Sequence, residues 1–222
     1  MKNTQELNDQ IYLDWAQDLL NDTFDASKHI SSPSNSVYEL KNNRISYFLK
    51  IGSNLEAEYK RLVWLEDKTL SPHPISFKVF EDKEALLISG IEGFNLYYLS
   101  QFWDMDILIK RYAEAILNFH SIAIADCPFG VAHNHTVLTH GDACLPNLIF
   151  TREGEFKGFI DLGDMKIDDK EIDLAAAIWS LQFNLGAGYG QKFLSEYGID
   201  NPSQEMVDRL WHLYNDWIPL KK

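Results

Sequence analysis

Three polar side chains in the second half of the chain have the types and the spacing that phosphoryl transfer requires. Asp142 lies in the segment THGDACLPN (139–147), and Asn147 follows five residues later. Asp161 follows the apolar residues Phe159 and Ile160 in the segment FIDLG (159–163). Mg²⁺ prefers oxygen ligands such as carboxylates and amide carbonyls, and an acceptor hydroxyl needs a carboxylate that orients it and takes its proton. This pattern predicts Asp142 as the catalytic base and Asn147 and Asp161 as ligands of Mg²⁺.

A lysine and a glutamate upstream could bind the phosphates of ATP. Lys50 lies in a predicted strand, 45–51, on the face opposite the apolar side chains of that strand, and Glu58 lies on a predicted helix, 55–65. We expect Lys50 to contact the α- and β-phosphates and Glu58 to hold it. Two alternatives stay open: Lys50 is an ordinary exposed strand lysine, or Glu56 takes the place of Glu58 because the helix phase is uncertain.

A serine-rich loop, Ser31–Ser36, precedes the predicted strands. The hydroxyl groups of Ser32 and Ser34, with the backbone amides, could cap the phosphates. The loop lacks the glycines of a glycine-rich phosphate loop, so a plain turn is an equal alternative.

The periodicity of apolar residues predicts a sheet-rich first part and a helical second part. Apolar residues at helical spacing, Leu7, Ile11, Trp15 and Leu19, predict an opening helix. A final helix is predicted to begin with Asn201 as its cap and Pro202 in its first position. The other predicted elements are strands at 37–40, 77–80 and 85–89 and helices at 106–121 and 174–184. The break at Gly90–Gly93 predicts two domains, a nucleotide-binding lobe (1–90) and a catalytic and acceptor lobe (91–222).

The net charge of −13 argues against nucleic acid and anionic membranes as partners. It suits a small cationic substrate, although many proteins are acidic for solubility alone. The two cysteines, the absence of an apolar leader and the absence of a long apolar run predict a soluble cytoplasmic protein. The sequence carries no indication of oligomeric state.

Several other polar residues have structural interpretations. We expect His140 to bond backbone groups of the catalytic loop, His120 to be a satisfied core histidine, and Asp173 to cap a helix or anchor a loop. Zinc binding by His133, His135 and His140 is a weaker alternative, because no carboxylate or cysteine completes a tight ligand spacing.

At these residues the sequence resembles the aminoglycoside 3'-phosphotransferases. The similarity is close at HGDACLPN (140–147), GFIDLG (158–163) and FHSI with the trailing DCPF (119–122 and 126–129), and weaker through SPSNSVYEL, YFLKIG, EAEYKRLVWLE and LLISGIEG. The resemblance implies an α+β, two-lobed, protein-kinase-like fold, with a small N-terminal antiparallel-sheet lobe and a mainly helical C-terminal lobe. It also implies transfer of the γ-phosphate of ATP to a hydroxyl of an aminoglycoside, with Mg²⁺ bound.

By the same resemblance, the segment Ser89–Ile91 is the hinge that receives adenine, so Ser89 and Ile91 are expected nucleotide contacts. Gly141 stands where most protein kinases have an arginine that reads a phosphorylated loop. No APE motif follows Asp161 either, so a protein kinase is the less favoured interpretation.

Three features depart from the family. The helical insertion that cradles the aminoglycoside is shortened between Phe129 and Thr139, Asp164 stands where the family usually has arginine, and the chain ends in Lys221-Lys222 instead of acidic residues. The nucleotide half is therefore complete by sequence and the acceptor half is not. Two alternatives follow: a kinase for another small hydroxyl compound, or a nucleotide-binding remnant that lacks the acceptor site.

Overall fold

The computed structural model describes residues 4–31 and 35–217 and separates the chain into two compact units. Unit 1 comprises Met1–Glu66 and Pro72–Ile91, and unit 2 comprises Asp67–Ser71 and Glu92–Lys222. The two units contain antiparallel sheets and helices, which confirms the predicted α+β class. None of the helices in the described residues is long and apolar enough to cross a membrane.

Unit 1 is a five-stranded antiparallel sheet with two helices. Its strands follow the order β1-β2-β3-β5-β4. The elements are α1 (Thr4–Leu20), β1 (Asp25–Ser31), β2 (Ser36–Lys41), β3 (Ser46–Gly52), α2 (Leu55–Leu65), β4 (Pro74–Val79) and β5 (Glu84–Ser89). Strand β1 was not predicted, because its sequence DASKHIS is polar and it lies at the sheet edge, where no apolar alternation is needed.

The core of unit 1 explains the direction in which Lys50 points. Leu49 and Ile51 of β3 are buried, whereas Lys50 between them lies on the opposite face of the sheet and is only partly buried. Helix α2 buries Glu58, Leu62 and Leu65, as the predicted helix phase requires.

The predicted helix α1 is present, but its predicted apolar stripe is only partly correct. Ile11 and Leu19 are exposed, whereas Trp15 is partly buried and packs against the core of unit 1. The buried face carries Tyr12, Leu13 and Ala16 instead. Tyr12 packs edge-on against Phe80, with ring centroids 4.5 Å apart. Trp15 also packs edge-on against Phe80, with ring centroids 5.9 Å apart.

Asp9 of α1 is almost fully buried beside that face. Its Oδ2 accepts hydrogen bonds from Ser36 (2.9 Å), Tyr38 (2.8 Å) and Lys28 (3.2 Å). Burial raises the pKa of Asp9, but the bonds from Tyr38, Ser36 and Lys28 outweigh it, so the pKa lies below its ordinary value. This cluster ties α1 to strands β1 and β2.

Unit 2 contains the remaining elements. They are β6 (Phe94–Asn95), α3 (Leu96–Leu99), α4 (Met105–His120), β7 (Thr136–Thr139), β8 (Leu148–Phe150), β9 (Phe156–Phe159), β10 (Lys166–Asp169), α5 (Glu171–Leu185), α6 (Gly190–Glu196) and α7 (Gln204–Trp217). Strands β6, β8 and β9 form one antiparallel sheet, and β10 pairs with β7. The predicted helix at 106–121 is confirmed as α4, and the residues at helical spacing along it, Ile109, Ala113, Ile116 and His120, are buried.

Helix α7 begins later than predicted. Its first residue is Gln204, and the Oγ of Ser203 accepts a hydrogen bond from the backbone N–H of Met206 at 3.1 Å. Ser203 is therefore the cap, while Asn201 and Pro202 lie outside the helix. The buried face of α7 carries Val207, Leu210 and Tyr214.

Candidate active site

The predicted catalytic loop connects β7 to β8, and two hydrogen bonds to the backbone carbonyl of Asp142 hold it in shape. The backbone oxygen of Asp142 accepts from the N–H of Cys144 (2.7 Å) and from the side-chain Nδ2 of Asn147 (2.9 Å). A 3-10 turn over Leu145–Asn147, with a proline near its start, completes the loop. The loop therefore holds Asp142 and Asn147 in one fixed local arrangement.

Asp173, in the first turn of α5, anchors the start of this loop. Its carboxylate accepts from the backbone N–H groups of His140 (2.6 Å) and Gly141 (2.8 Å). The side chain is fully buried, so these bonds replace the water that the carboxylate would otherwise need. The predicted role of Asp173 as a loop anchor is confirmed in this geometry.

His120 and Tyr197 extend the anchor into the core. His120 Nε2 lies 3.0 Å from Asp173, and its Nδ1 lies 2.8 Å from the Tyr197 hydroxyl. A carboxylate can only accept, so Nε2 donates to Asp173, and in the neutral ring Nδ1 accepts from Tyr197. Burial and the Asp173 charge raise the pKa of Tyr197 to about 12, which keeps its proton in place. His120 is thus the satisfied core histidine that the sequence predicted.

His140 links the loop to the strand that leads to Asp161. The backbone N–H of Asp142 donates to His140 Nδ1 (3.2 Å), so the neutral ring donates through Nε2 to the carbonyl of Ile160 (3.0 Å). The backbone N–H of Ile160 also donates to the carbonyl of Asn147 at 2.9 Å. The predicted backbone bonding of His140 is therefore present, and it fixes the base loop beside the end of β9.

Gly141 has a conformation that excludes a side chain. Its φ is +85°, and a Cβ there would lie 2.7 Å from both the Cβ and the carbonyl oxygen of Asp164. Asp164, which stands where the family usually has arginine, therefore packs against the backbone of Gly141. An arginine at position 141 is excluded by the same contact.

The carboxylate of Asp142 has two donors that sequence reasoning missed. The Tyr214 hydroxyl donates to Oδ1 at 2.5 Å, and the Cys144 thiol donates to the same atom at 3.1 Å. Burial raises the pKa of both Tyr214 and Cys144, so both remain protonated donors. The sequence showed only that Tyr214 follows Leu210 at helical spacing, which carries no information about its partner.

Asn147 and Asp161 have the donor chemistry that Mg²⁺ requires. Because the amide nitrogen of Asn147 is bonded inside the loop, its side-chain oxygen is the atom left for a cation. Asp161 lies two residues after the end of β9 and has an exposed side chain. Its backbone is left-handed (φ 60°), a conformation that aspartate tolerates better than most residues. These two residues would supply a carboxylate and a carbonyl oxygen to the ion. Their assignment as ligands stays a prediction.

No group of three or more His, Cys, Asp or Glu side chains in the described part of the chain is arranged to hold a metal ion. His133, His135 and His140 therefore do not come together as a zinc site.

The predicted lysine–glutamate pair is present in unit 1. Lys50 Nζ lies 2.7 Å from Oε1 and 2.9 Å from Oε2 of Glu58, and both side chains are largely buried. Glu56 is exposed and pairs instead with Lys60 on the same helix. This geometry selects Glu58 over Glu56. The role of the pair in nucleotide binding stays a prediction.

The other predicted nucleotide contacts are Ser32, Ser34, Ser89 and Ile91. Ser32 and Ser34 lie outside the described residues. The backbone N–H of Ser89 donates to the carbonyl of His73 (2.9 Å), and that of Gly90 donates to Ser46 (2.8 Å). These two N–H groups are therefore already bonded and are not the donors that an adenine at the predicted hinge would use.

Residues 121–135 contain no helix, and all of them are described. The backbone N–H of Ile167 donates to the carbonyl of Phe129 at 2.8 Å, and Gly130 forms a parallel bridge with Ile167. Asp126 forms an ion pair with Lys68 at 3.1 Å. The segment that precedes β7 is thus a short loop pinned to β10, which agrees with the shortened insertion inferred from the sequence.

Comparison with known proteins identifies the relatives of this chain. Residues 130–207, which include the whole catalytic loop, match the model of the phosphotransferase enzyme family. An aminoglycoside 3'-phosphotransferase of Escherichia coli is 38% identical over 86% of this chain and 89% of its own length. A probable aminoglycoside 3'-phosphotransferase of Lactococcus lactis is 28% identical over 81% of this chain and 84% of its own length.

Solved structures agree on the fold. An aminoglycoside phosphotransferase from Streptomyces rimosus superposes with a TM-score of 0.74 at 20% identity, covering 93% of this chain and 97% of that protein. A type VIII aminoglycoside-3'-phosphotransferase gives a TM-score of 0.72 at 20% identity, covering 93% of this chain and 99% of that one. The S. rimosus enzyme has also been solved in complex with ADP and streptomycin. The predicted protein-kinase-like fold is confirmed, and the chain belongs to the aminoglycoside 3'-phosphotransferase family.

Proposed function

We propose that this protein is an ATP-dependent phosphotransferase that moves the γ-phosphate to a hydroxyl of an aminoglycoside, with Asp142 as the base. The observation that carries the proposal is the state of the Asp142 carboxylate. Donors occupy its Oδ1, and no hydrogen bond among the described residues ends on Oδ2. An anchored carboxylate with one oxygen available is the arrangement that a general base requires.

The remaining parts divide between the two units. In unit 1, Lys50 held by Glu58 would bind the α- and β-phosphates. In unit 2, Asn147 and Asp161 would hold Mg²⁺, which neutralises charge on the phosphates when bound. Ser89 and Ile91 would contact adenine, and Ser32 and Ser34 would lie near the phosphates.

The cationic acceptor is supported by family membership and by the net charge of −13. An aminoglycoside carries several ammonium groups, and an acidic protein raises their local concentration. The short loop at 121–135 supplies fewer groups to orient such a substrate. We therefore expect a high KM for the acceptor together with an ordinary KM for ATP.

An acceptor panel tests the proposal directly. ADP release is measured with ATP and Mg²⁺ against aminoglycosides that carry a 3'-hydroxyl, matched 3'-deoxy compounds, and macrolide, choline and amino-sugar acceptors. We expect turnover with the 3'-hydroxyl compounds, its loss in EDTA, and a fall below about a tenth in Asp142→Asn, on the scale of general-base effects. Asp200→Asn, the same change at an exposed site, is the control.

Three outcomes would contradict the proposal. Turnover only with a non-aminoglycoside acceptor identifies a kinase for another hydroxyl compound. ATP binding without turnover of any acceptor identifies a non-catalytic remnant. Full activity of Asp142→Asn removes Asp142 from the role of base.

A further inference from the structure

The Asp142 carboxylate is bonded on one side only. The Tyr214 hydroxyl (2.5 Å) and the Cys144 thiol (3.1 Å) both donate to Oδ1, and the thiol sulfur lies 3.6 Å from the Tyr214 oxygen. Among the hydrogen bonds of the described residues, none ends on Oδ2. The two oxygens of the proposed base are therefore not equivalent.

The position of Tyr214 is fixed by its surroundings. The side chain is 6% exposed, and its ring lies 5.4 Å from that of Trp179 on α5. Arg209 of α7 forms two 2.7 Å bonds to the carboxylate of Glu171 at the start of α5. Tyr214 therefore reaches the base from a helix that is packed and ion-paired against α5.

We infer that Tyr214 is a positioning residue, whose hydroxyl holds Oδ1 of Asp142 so that Oδ2 is presented to the acceptor hydroxyl. The inference rests on the proposed phosphotransferase activity. The terminal torsion of an aspartate is broad and nearly two-fold, so an unanchored carboxylate samples orientations in which neither oxygen is aimed at the substrate. Loss of that orientation lowers the rate of the chemical step without weakening nucleotide binding.

The same contact has a competing interpretation. A hydroxyl 2.5 Å from the base could occupy the place of the acceptor hydroxyl and so obstruct the substrate. The two interpretations predict opposite changes in the reaction rate when the Tyr214 hydroxyl is removed. Removing an anchor lowers kcat, whereas removing an obstruction raises kcat/KM for the acceptor.

Tyr214→Phe removes only the hydroxyl and keeps the ring that packs on Trp179. We expect kcat to fall about 5- to 30-fold, because a hydrogen bond to a charged group is lost while the Cys144 donor remains. The KM for ATP should stay within about twofold. Tyr12→Phe is the matched control, since Tyr12 is 2% exposed and donates to the Asp82 carboxylate at 2.6 Å within unit 1. Its kcat should be unchanged.

A double-mutant cycle in urea unfolding tests the contact without relying on activity. Asp142→Ala, Tyr214→Phe and the double variant should be non-additive, because the two side chains share one bond. The inference is overturned by any of three results. These are an additive cycle, an unchanged kcat in Tyr214→Phe, or a raised kcat/KM for the acceptor in that variant. If the wild-type enzyme phosphorylates no acceptor, the proposed function is refuted and the positioning role falls with it. If the wild type is active and Tyr214→Phe equals it, only the positioning role is refuted.

Discussion

Asp173 organises the catalytic loop from a position where its own side chain is inaccessible to substrate. Its buried carboxylate accepts from the backbone of His140 (2.6 Å), from the backbone of Gly141 (2.8 Å) and from His120 Nε2 (3.0 Å). Replacing it with asparagine keeps the shape but turns one acceptor into a donor that faces another donor. Asp173→Asn therefore tests whether this loop depends on a buried anion.

The magnitude follows from the number of donors that lose their acceptor. A buried donor without a partner costs about 1–3 kcal/mol, and a hydrogen bond to a charged group contributes about 1.5–3 kcal/mol. With the amide oxygen in the place of Oδ2, the bonds from His140 and His120 are retained, while the N–H of Gly141 and the new amide group face each other without an acceptor. For these two donors we expect Asp173→Asn to lower the free energy of unfolding by about 2–4 kcal/mol. For a chain of this size each kcal/mol shifts Tm by about 2–4 °C, so the midpoint should fall by roughly 4–16 °C.

Urea unfolding and thermal melting measure this loss, and steady-state kinetics measure its consequence at the base. We expect kcat to fall and the KM for ATP to rise by a smaller factor, because the loop carries both Asp142 and the proposed Mg²⁺ ligand Asn147, whereas the lysine–glutamate pair lies in the other unit. Asp200→Asn makes the same chemical change on the surface and should stay within about 0.5 kcal/mol of wild type. A loss below about 1 kcal/mol in Asp173→Asn, with kcat unchanged, would refute the anchoring role.

Two further predictions concern backbone conformation and pH. Gly141→Ala should destabilise the protein by about 2 kcal/mol more than Gly186→Ala: both glycines have a positive φ, near +90°, but only Gly141 faces backbone at 2.7 Å. Equal losses in urea unfolding would show that the close contact has no cost. Because the pKa of Asp9 is lowered in the folded protein, its stabilisation is present above its ordinary pKa of 3.8 and is lost as pH falls below it. Asp9→Asn should therefore flatten the acid side of the stability–pH curve, and an unchanged slope contradicts this.

The sequence alone determined the residues whose chemistry is local. Asp142, Asn147 and Asp161 stand out by their types and spacing, and the bounds of α2 and the buried phase of α4 followed from helical periodicity. Periodicity succeeds there because one face of each helix is apolar over several turns. The Lys50–Glu58 pair was also within reach, since a strand and the next helix place both side chains by simple alternation and phase.

Tertiary structure decided the rest. The polar edge strand β1 is stabilised by pairing with β2. The packing of α1 on the core of unit 1 decided that Tyr12 is buried and Ile11 is exposed. The bonds from Asp173 and Tyr214 to the catalytic loop span more than 30 and 70 residues of sequence. Nothing in a linear pattern specifies such contacts, because they exist only after α5 and α7 pack. The sequence therefore identified the proposed base, whereas packing decided which of its two oxygens is held and which is left for a substrate.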